Sequence, residues 1–259
     1  MCIILFAYRA HPDYRLILAA NRDEYDARPT AQAAFWEDAP EILAGRDLLR
    51  GGTWLGVTRS GRVAAVTNFR DSSAIKKDAP SRGHLVSDFL RSTESPQEYL
   101  ERRATTSSVY DGFNLIAGDS CRFAYHSNRG AGVRALTEGV YGVSNHLLDT
   151  PWPKVSRGKQ ALSEIVRRDG EVEPEALFDI LADESRAADE ALPDTGVGVE
   201  LERVLSPLFI RTPIYGTRSS TLLLIDIKGS ITFIERTFEA GRKNAADVVF
   251  KFKSEGEDV

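Results

Sequence analysis

The sequence predicts an α+β fold in one domain over residues 1–259. Strand-like runs are grouped before and after pairs of helices, where an alternating parallel-sheet protein would interleave them. Neighbouring runs are joined by short turns, as at His11-Pro12-Asp13 and Lys228-Gly229, which favours antiparallel hairpins. No stretch is rich enough in Gly, Ser or Pro to divide the chain, and no internal repeat is visible.

The elements follow in order. Cys2–Tyr8 and Arg15–Ala20 are apolar runs that read as a hairpin, with Cys2 at one end of a sheet. Strands follow at Ile42–Gly45, Gly52–Val57 and Arg62–Asn68, the last two separated by Arg59-Ser60-Gly61. Ser81–Arg91 and Pro96–Arg103 read as helices, the second with proline at a favoured first position. A second strand-rich stretch comprises Phe113–Gly118, Arg122–His126, Gly132–Leu136 and Val140–Ser144. Behind Thr150-Pro151, Val155, Leu162, Ile165 and Val166 fall on one helical face. Leu177, Ile180 and Leu181 mark a helix opened by Pro174. The acidic stretch Asp183–Glu202 reads as an exposed insertion, Leu222–Ile227 and Ser230–Arg236 as a closing hairpin, and Lys251–Val259 as a frayed polar tail.

Composition narrows the function classes. A net charge of −5 with no Lys/Arg stripe argues against a nucleic-acid partner. Two cysteines, Cys2 and Cys121, are too few for a disulfide framework or a cysteine metal site, and no histidine has a second ligand at metal spacing. The apolar opening is broken by Arg9, His11, Asp13 and Arg15, so no signal peptide is expected. No run approaches a membrane span, and the expected location is cytoplasmic.

Cys2 stands directly behind Met1. Methionine is trimmed readily before a small residue, and trimming leaves one residue with both a thiol and an α-amine. The thiol is a nucleophile, and the amine, which ordinarily titrates at roughly 7.7–8.0, is a base near enough to activate it. A free cysteine is equally at home in a buried strand.

Asn21-Arg22-Asp23-Glu24 follows the second apolar run, beside the strand that carries Cys2. Alternation puts Asn21 and Asp23 on one face and Arg22 and Glu24 on the other. An arginine there lowers a thiol pKa and holds a substrate carboxylate, and an aspartate accepts from an α-amine. A solvated strand end with an Arg–carboxylate pair fits the same residues. Asn68 and Asn145 each close an apolar run, and their amides suit an oxyanion hole or a turn. Trp54 and Trp152 read as pocket wall or core. His146, beside Asn145, is a base, a haem ligand or a loop histidine, and Arg218 before Ser219-Ser220-Thr221 is an anion contact or an exposed turn.

With these residues in view the chain resembles the NRDE proteins, the transport-and-Golgi-organisation family. Met1-Cys2-Ile3-Ile4, Asn21–Glu24, Gly51–Gly56, Thr67–Arg70 and Ser81-Arg82-Gly83 carry the resemblance. So do Gly112–Leu115, Ser144-Asn145, Leu148–Lys154 and Tyr215–Thr221, and together they cover nearly the whole chain. That family is similar to N-terminal-nucleophile hydrolases of the bile-salt hydrolase and penicillin V acylase kind. The resemblance implies a four-layer αββα fold, two stacked antiparallel sheets between helices. It implies Cys2 as nucleophile, Asn68 as oxyanion donor, and Asn145 as orienter of the amine or second donor. The hydrolases place Arg and Asp three apart, whereas Arg22 and Asp23 are adjacent here. The preferred register puts Asn21 in the Arg position and Glu24 in the Asp position; another uses Arg22 and Asp23.

Two functions of different class are therefore expected. The first is a cysteine amidohydrolase or acyl transferase acting on a small-molecule amide or acyl bond, with no catalytic cofactor. The second is a protein that holds haem or an acyl-lipid in the same cleft without cleaving it, haem trafficking being linked to the resembled family. A third is an interaction protein with no ligand.

Overall fold

A computed structural model describes residues 2–71, 76–239 and 245–255. In chain order the first strands are β1 (Cys2–Tyr8), β2 (Tyr14–Tyr25), β3 (Thr30–Trp36), β4 (Ala39–Asp47), β5 (Leu55–Thr58) and β6 (Val63–Asn68). Helices α1 (Gly83–Arg91) and α2 (Pro96–Thr106) precede β7 (Phe113–Gly118), β8 (Phe123–Ser127), β9 (Val133–Leu136) and β10 (Gly139–Val143). Then come α3 (Pro153–Val166), α4 (Pro174–Leu181), α5 (Val199–Leu205), β11 (Tyr215–Asp226), β12 (Ser230–Phe238) and β13 (Ala245–Lys253).

The strands make two antiparallel sheets. One runs β10-β1-β2-β11-β12-β13, the other β3-β4-β5-β6-β7-β8-β9. Alternation along β1 shows how they stack. Ile4, Phe6 and Tyr8 join a core shared with Leu43, Val57, Ala65 and Ile116 of the second sheet. Ile3, Leu5 and Ala7 face the other way, onto Val155 and Leu162 of α3 and Leu177 of α4. The outer face of the second sheet buries Ala64, Leu115 and Ala117 against Leu85 and Phe89 of α1 and Leu100 of α2. Helix, sheet, sheet and helix give the αββα layering.

Several elements differ from the sequence reading. β2 does not stop at Ala20 but runs on to Tyr25, carrying Asn21–Glu24 inside the sheet. The polar start of β11 pairs with it, Ser220 opposite Asn21, Ser219 opposite Arg22 and Thr217 opposite Asp23. Hydrophobicity marks neither half of this pairing, so β11 also begins earlier than Leu222. The alanine-rich β3 was not expected, alanine being a weak strand former. Lys251–Lys253 pair with Ser230–Thr232 and are sheet where a frayed tail was expected; residues 256–259 of that tail lie outside the described residues. The acidic stretch is not wholly exposed either, since it ends in α5, where Glu202 is buried.

β5 begins at Leu55, not Gly52, because Gly52 lies against another backbone. A Cβ on Gly52 would stand 2.5 Å from the carbonyl carbon of Gly83, and Thr53 N–H donates to the Gly83 carbonyl at 3.3 Å. This contact holds the Thr53-Trp54 segment against the start of α1. Gly52→Ala has only rigid backbone to push on and is expected to destabilise the fold by about 1–3 kcal/mol, read as a lower urea midpoint at unchanged slope.

Candidate active site

Cys2 opens β1 with its Cα opposite Arg22 of β2. It shares strand parity with Ile4 and Phe6, so it continues their face to the end of the sandwich. A cleft of about 250 Å³ opens there. Cys2, Arg22, Asp23 and Glu24 line it from the first sheet, Val66 and Asn68 from the second, with Trp54 just ahead of β5, and residues 79–82 with Gly83 at the start of α1 form another part of the wall. Arg22 lies over the Trp54 ring, 4.3 Å from its centroid, a cation–π contact between the two sheets.

A set of hydrogen bonds brings the two sheet ends together. The Ser144 hydroxyl donates to the Cys2 carbonyl (3.0 Å), and the Thr67 hydroxyl donates to the Ser144 carbonyl (2.5 Å). The Asn145 amide donates to the Asn68 carbonyl (3.0 Å), and Arg70 N–H donates to the Asn145 carbonyl (2.7 Å). Asn114, also buried, donates to Thr67 (3.0 Å) and to the His146 carbonyl (2.9 Å). Cys2 and Asn68 thereby meet in one cleft although they belong to different sheets.

The electrostatics are those of a desolvated site. Burial pushes the Cys2 thiol up and the Asp23 carboxylate adds to this, while Arg22 and the Asp23 backbone N–H pull it down. Burial also pushes the Asp23 carboxyl up, against Lys154, the Thr217 hydroxyl (2.8 Å) and Arg22. Lys154 is buried at the start of α3 and donates to the Leu205 carbonyl (3.0 Å); burial lowers its pKa to about 8, against the pull of Asp23. Arg22 is only 6% exposed, and its Nη1 makes no hydrogen bond among the described residues. A buried guanidinium N–H without an acceptor is costly unless something else supplies one.

The expected residues divide accordingly. Asn21 faces away from the cleft. It donates to the carbonyls of Leu181 (2.8 Å) and Leu208 (2.9 Å) and accepts from Ser220 (2.6 Å), so its amide ties β2 to the helical layer. The register that places Asn21 at the site is corrected by this: Arg22, Asp23 and Glu24 line the cleft, Asn21 does not. Asn145 is fully buried behind Asn68 and acts on it through its carbonyl. His146 packs between Phe69 and Trp152, with Nδ1 2.8 Å from the Thr150 hydroxyl, and is not among the described lining residues. Burial lowers its pKa. Arg218 donates to the carbonyls of Tyr25 (2.8 Å) and Asp26 (3.0 Å) and holds the end of β2. Trp54 is cleft wall. Sequence reasoning assigned no role to Lys154, Thr217 or Arg82; each lies within a motif that carries the family resemblance, but in a different part of the chain, and nothing local links it to Cys2.

Among the described residues no group of three or more His, Cys, Asp or Glu could hold a metal ion, and no helix is long and apolar enough to cross a membrane.

The model of the Transport and Golgi organisation 2 family matches residues 1–240. The chain is 38% identical over 257 residues to the Transport and Golgi organization 2 homolog of Mus musculus, covering 92% of this chain and 93% of that protein. It is 32% identical over 261 residues to Transport and Golgi organization protein 2 of Drosophila melanogaster, covering 92% of each. Among solved structures it is similar to the Caenorhabditis elegans N-acylethanolamine-hydrolyzing acid amidase ortholog. That match has a TM-score of 0.51 at 13% identity, over 86% of this chain and 92% of that one. A mutant conjugated bile acid hydrolase from Clostridium perfringens matches with TM-score 0.52 at 10% identity, over 98% and 97% of the two chains. At such identities these likenesses show the fold, that of the N-terminal-nucleophile hydrolases.

The charges around Cys2 set a pH dependence. The thiolate half-point, read as the pH profile of iodoacetamide alkylation, is expected above that of an ordinary cysteine. Removing the Arg22 cation favours the neutral thiol, so Arg22→Gln is expected to move the profile further up and slow alkylation several-fold at pH 8. A profile that stays in place would show that Arg22 does not act on the sulphur.

Proposed function

This chain belongs to the Transport and Golgi organisation 2 family, and we propose that it is an N-terminal-cysteine hydrolase or acyl transferase acting on a non-peptide amide or acyl bond. The observation that carries this reading is the convergence of the Cys2 thiol, the Arg22 guanidinium and Asn68 on one cleft at the end of the sandwich.

The reading requires removal of Met1, which lies outside the described residues. Cys2 then has its own α-amine, and the Asp23 carboxyl beside it accepts from that amine. The amine takes the thiol proton as Sγ attacks the substrate carbonyl carbon. A C–S bond forms, and the carbonyl π pair moves to oxygen, where the Asn68 amide and a backbone N–H donate to it. Collapse of the tetrahedral intermediate breaks the bond to the leaving group, which takes the proton back from the ammonium. Water or another acceptor, deprotonated by the same amine, then attacks the thioester; the C–S bond breaks, the acyl group leaves on the new oxygen or acceptor, and the departing thiolate takes the proton back from the ammonium. A thiol raised by burial makes the base necessary, because little thiolate exists at neutral pH without it.

The cleft mouth supports an acyl-bearing substrate. Leu48 and Leu49 are exposed in the turn between Asp47 and Arg50, both lining residues, and Tyr25 is exposed directly after Glu24. Ile214, also exposed, adjoins this end of β2 through its carbonyl, which accepts from Asp26 N–H (3.0 Å). An apolar rim beside a charged floor suits a molecule with an acyl chain and a polar reacting end.

A second reading, retention of an acyl-lipid without cleavage, draws support from the same raised thiol. Haem has less support, because the described lining is dominated by charged side chains and includes no imidazole.

Intact mass of the protein from its own host, followed by reaction with an acylating p-nitrophenyl ester, separates these readings. Loss of Met1, acylation of Cys2 and its disappearance in Cys2→Ala are expected. Asn68→Ala should slow acylation by about 10²–10³-fold, the usual loss for one oxyanion donor. Retention of Met1 would sink the mechanism and leave acyl-lipid binding as the better account.

A further inference from the structure

We propose that Glu202 and Arg70 are positioning residues, a buried ionic strut that aims the oxyanion donor Asn68 by orienting Asn145. The inference rests on the reading of Asn68 given under Proposed function, and it brings the acidic segment before β11 into the machinery of the site.

Arg70 lies two residues beyond Asn68 and is tied to Asn145 twice. Its backbone N–H donates to the Asn145 carbonyl (2.7 Å), and its Nη2 donates to the Asn145 side-chain oxygen (3.3 Å). The Ser144 hydroxyl lies 3.2 Å from that same oxygen, its one proton shared with the shorter bond to the Cys2 carbonyl. Arg70 Nη2 can only donate and the Asn68 carbonyl can only accept, so the Asn145 amide has one orientation, its oxygen toward Arg70 and its NH2 on the Asn68 carbonyl at 3.0 Å. The direction of the Asn68 side chain follows from where its backbone is held.

Glu202 determines where the Arg70 guanidinium sits. Arg70 Nη1 donates to one oxygen of Glu202, with the two side chains 7% and 3% exposed. The other oxygen of Glu202 accepts from Thr195 N–H at 3.2 Å, so the carboxylate is itself fixed. Trp152 closes the opposite side, with the guanidinium 5.1 Å from its ring centroid. The chain reaches this arrangement through Gly198, whose φ of 86° turns it into α5, and Glu202 N–H donates to the Gly198 carbonyl at 3.1 Å. Val199 and Leu201 of the same helix are exposed, so α5 is held by its one buried acid and by Leu205 and not by a broad apolar face.

A pair this desolvated adds little net stability over an apolar pair of equal size. Its distinctive product is geometry: a fork that addresses Glu202 with one nitrogen and Asn145 with another.

The test compares two reactions of Cys2 in the full-length protein. Acylation by p-nitrophenyl hexanoate develops an oxyanion; alkylation by iodoacetamide is a displacement at carbon and develops none. Glu202→Gln is expected to slow acylation about 10-fold, less than loss of the donor itself, with alkylation unchanged. Arg70→Lys keeps a charge for Glu202 but has a single nitrogen, and should show the same selective loss. The double variant Arg70→Met, Glu202→Met removes the buried charges together and should fold stably yet acylate as slowly as Glu202→Gln. Glu202→Asp should recover part of the rate. Unchanged acylation in Glu202→Gln, or parallel loss of acylation and alkylation, would overturn the strut. If wild-type Cys2 is not acylated at all, the enzyme reading fails, and crystal structures of wild type and Glu202→Gln then decide the strut. A displaced Asn68 amide supports it; an unmoved one overturns it.

Discussion

The hydrogen bonds of Ser144 and Asn145 are the constraint on which the site depends. Ser144 receives Thr67 from the second sheet and gives to Cys2 in the first; Asn145 gives to Asn68. Two sheets stacked through apolar side chains alone can slide, because dispersion and hydrophobic burial carry no direction. Directional bonds at one end remove that freedom. Ser144 and Asn145 are themselves buried, where a missing partner would cost about 1–3 kcal/mol, so the position of Cys2 against Asn68 is specified by the same bonds that stabilise the fold.

The polar run in the middle of the first sheet is the second unusual investment. Asn21–Asp23 and Thr217–Ser220 pair strand to strand inside a layered protein, with Asn21 and Asp23 almost fully buried. Asn21 is fully engaged in joining β2 to the helices, which makes it a strut under the site. Arg22, its neighbour on the opposite face, keeps an N–H without an acceptor among the described residues. Adjacent residues of one motif thus serve unlike ends, one satisfied and structural, the other unsatisfied and facing the cleft. The burial that leaves Arg22 unmet also raises the thiol and the Asp23 carboxyl and lowers Lys154. A desolvated group whose charge is resisted responds strongly to a ligand that supplies the missing interaction.

Much of this was legible beforehand. Apolar alternation located β1, β6, β7 and β12 to within a few residues, and the position of Cys2 at a sheet end followed from the first hairpin. Strand parity set Asn21 apart from Arg22, but it also grouped Asp23 with Asn21, whereas Asp23 lines the cleft beside Arg22 and Glu24. What it left open was which face is the cleft, because alternation is symmetric until a second layer covers one side. The strand halves at Asn21–Tyr25 and Tyr215–Thr221 were hidden for a related reason. A polar run reads as solvated unless its partner is known, and its partner is another polar run in a distant part of the chain. Glu202 was hidden in the same manner, one acid among many in Asp183–Glu202, distinguished only by the Arg70 it meets.

The sequence by itself determined the layered α+β architecture, the thiol at a strand end and the set of polar residues from which a site is assembled, because these are properties of short-range periodicity and residue chemistry. The tertiary structure alone decided which of those residues share a cleft, which are struts behind it, and which charges are desolvated enough to shift. Those outcomes depend on pairings between residues far apart in the chain. A hydrogen bond or a buried charge has its energy only once both partners and the water excluded around them are in place.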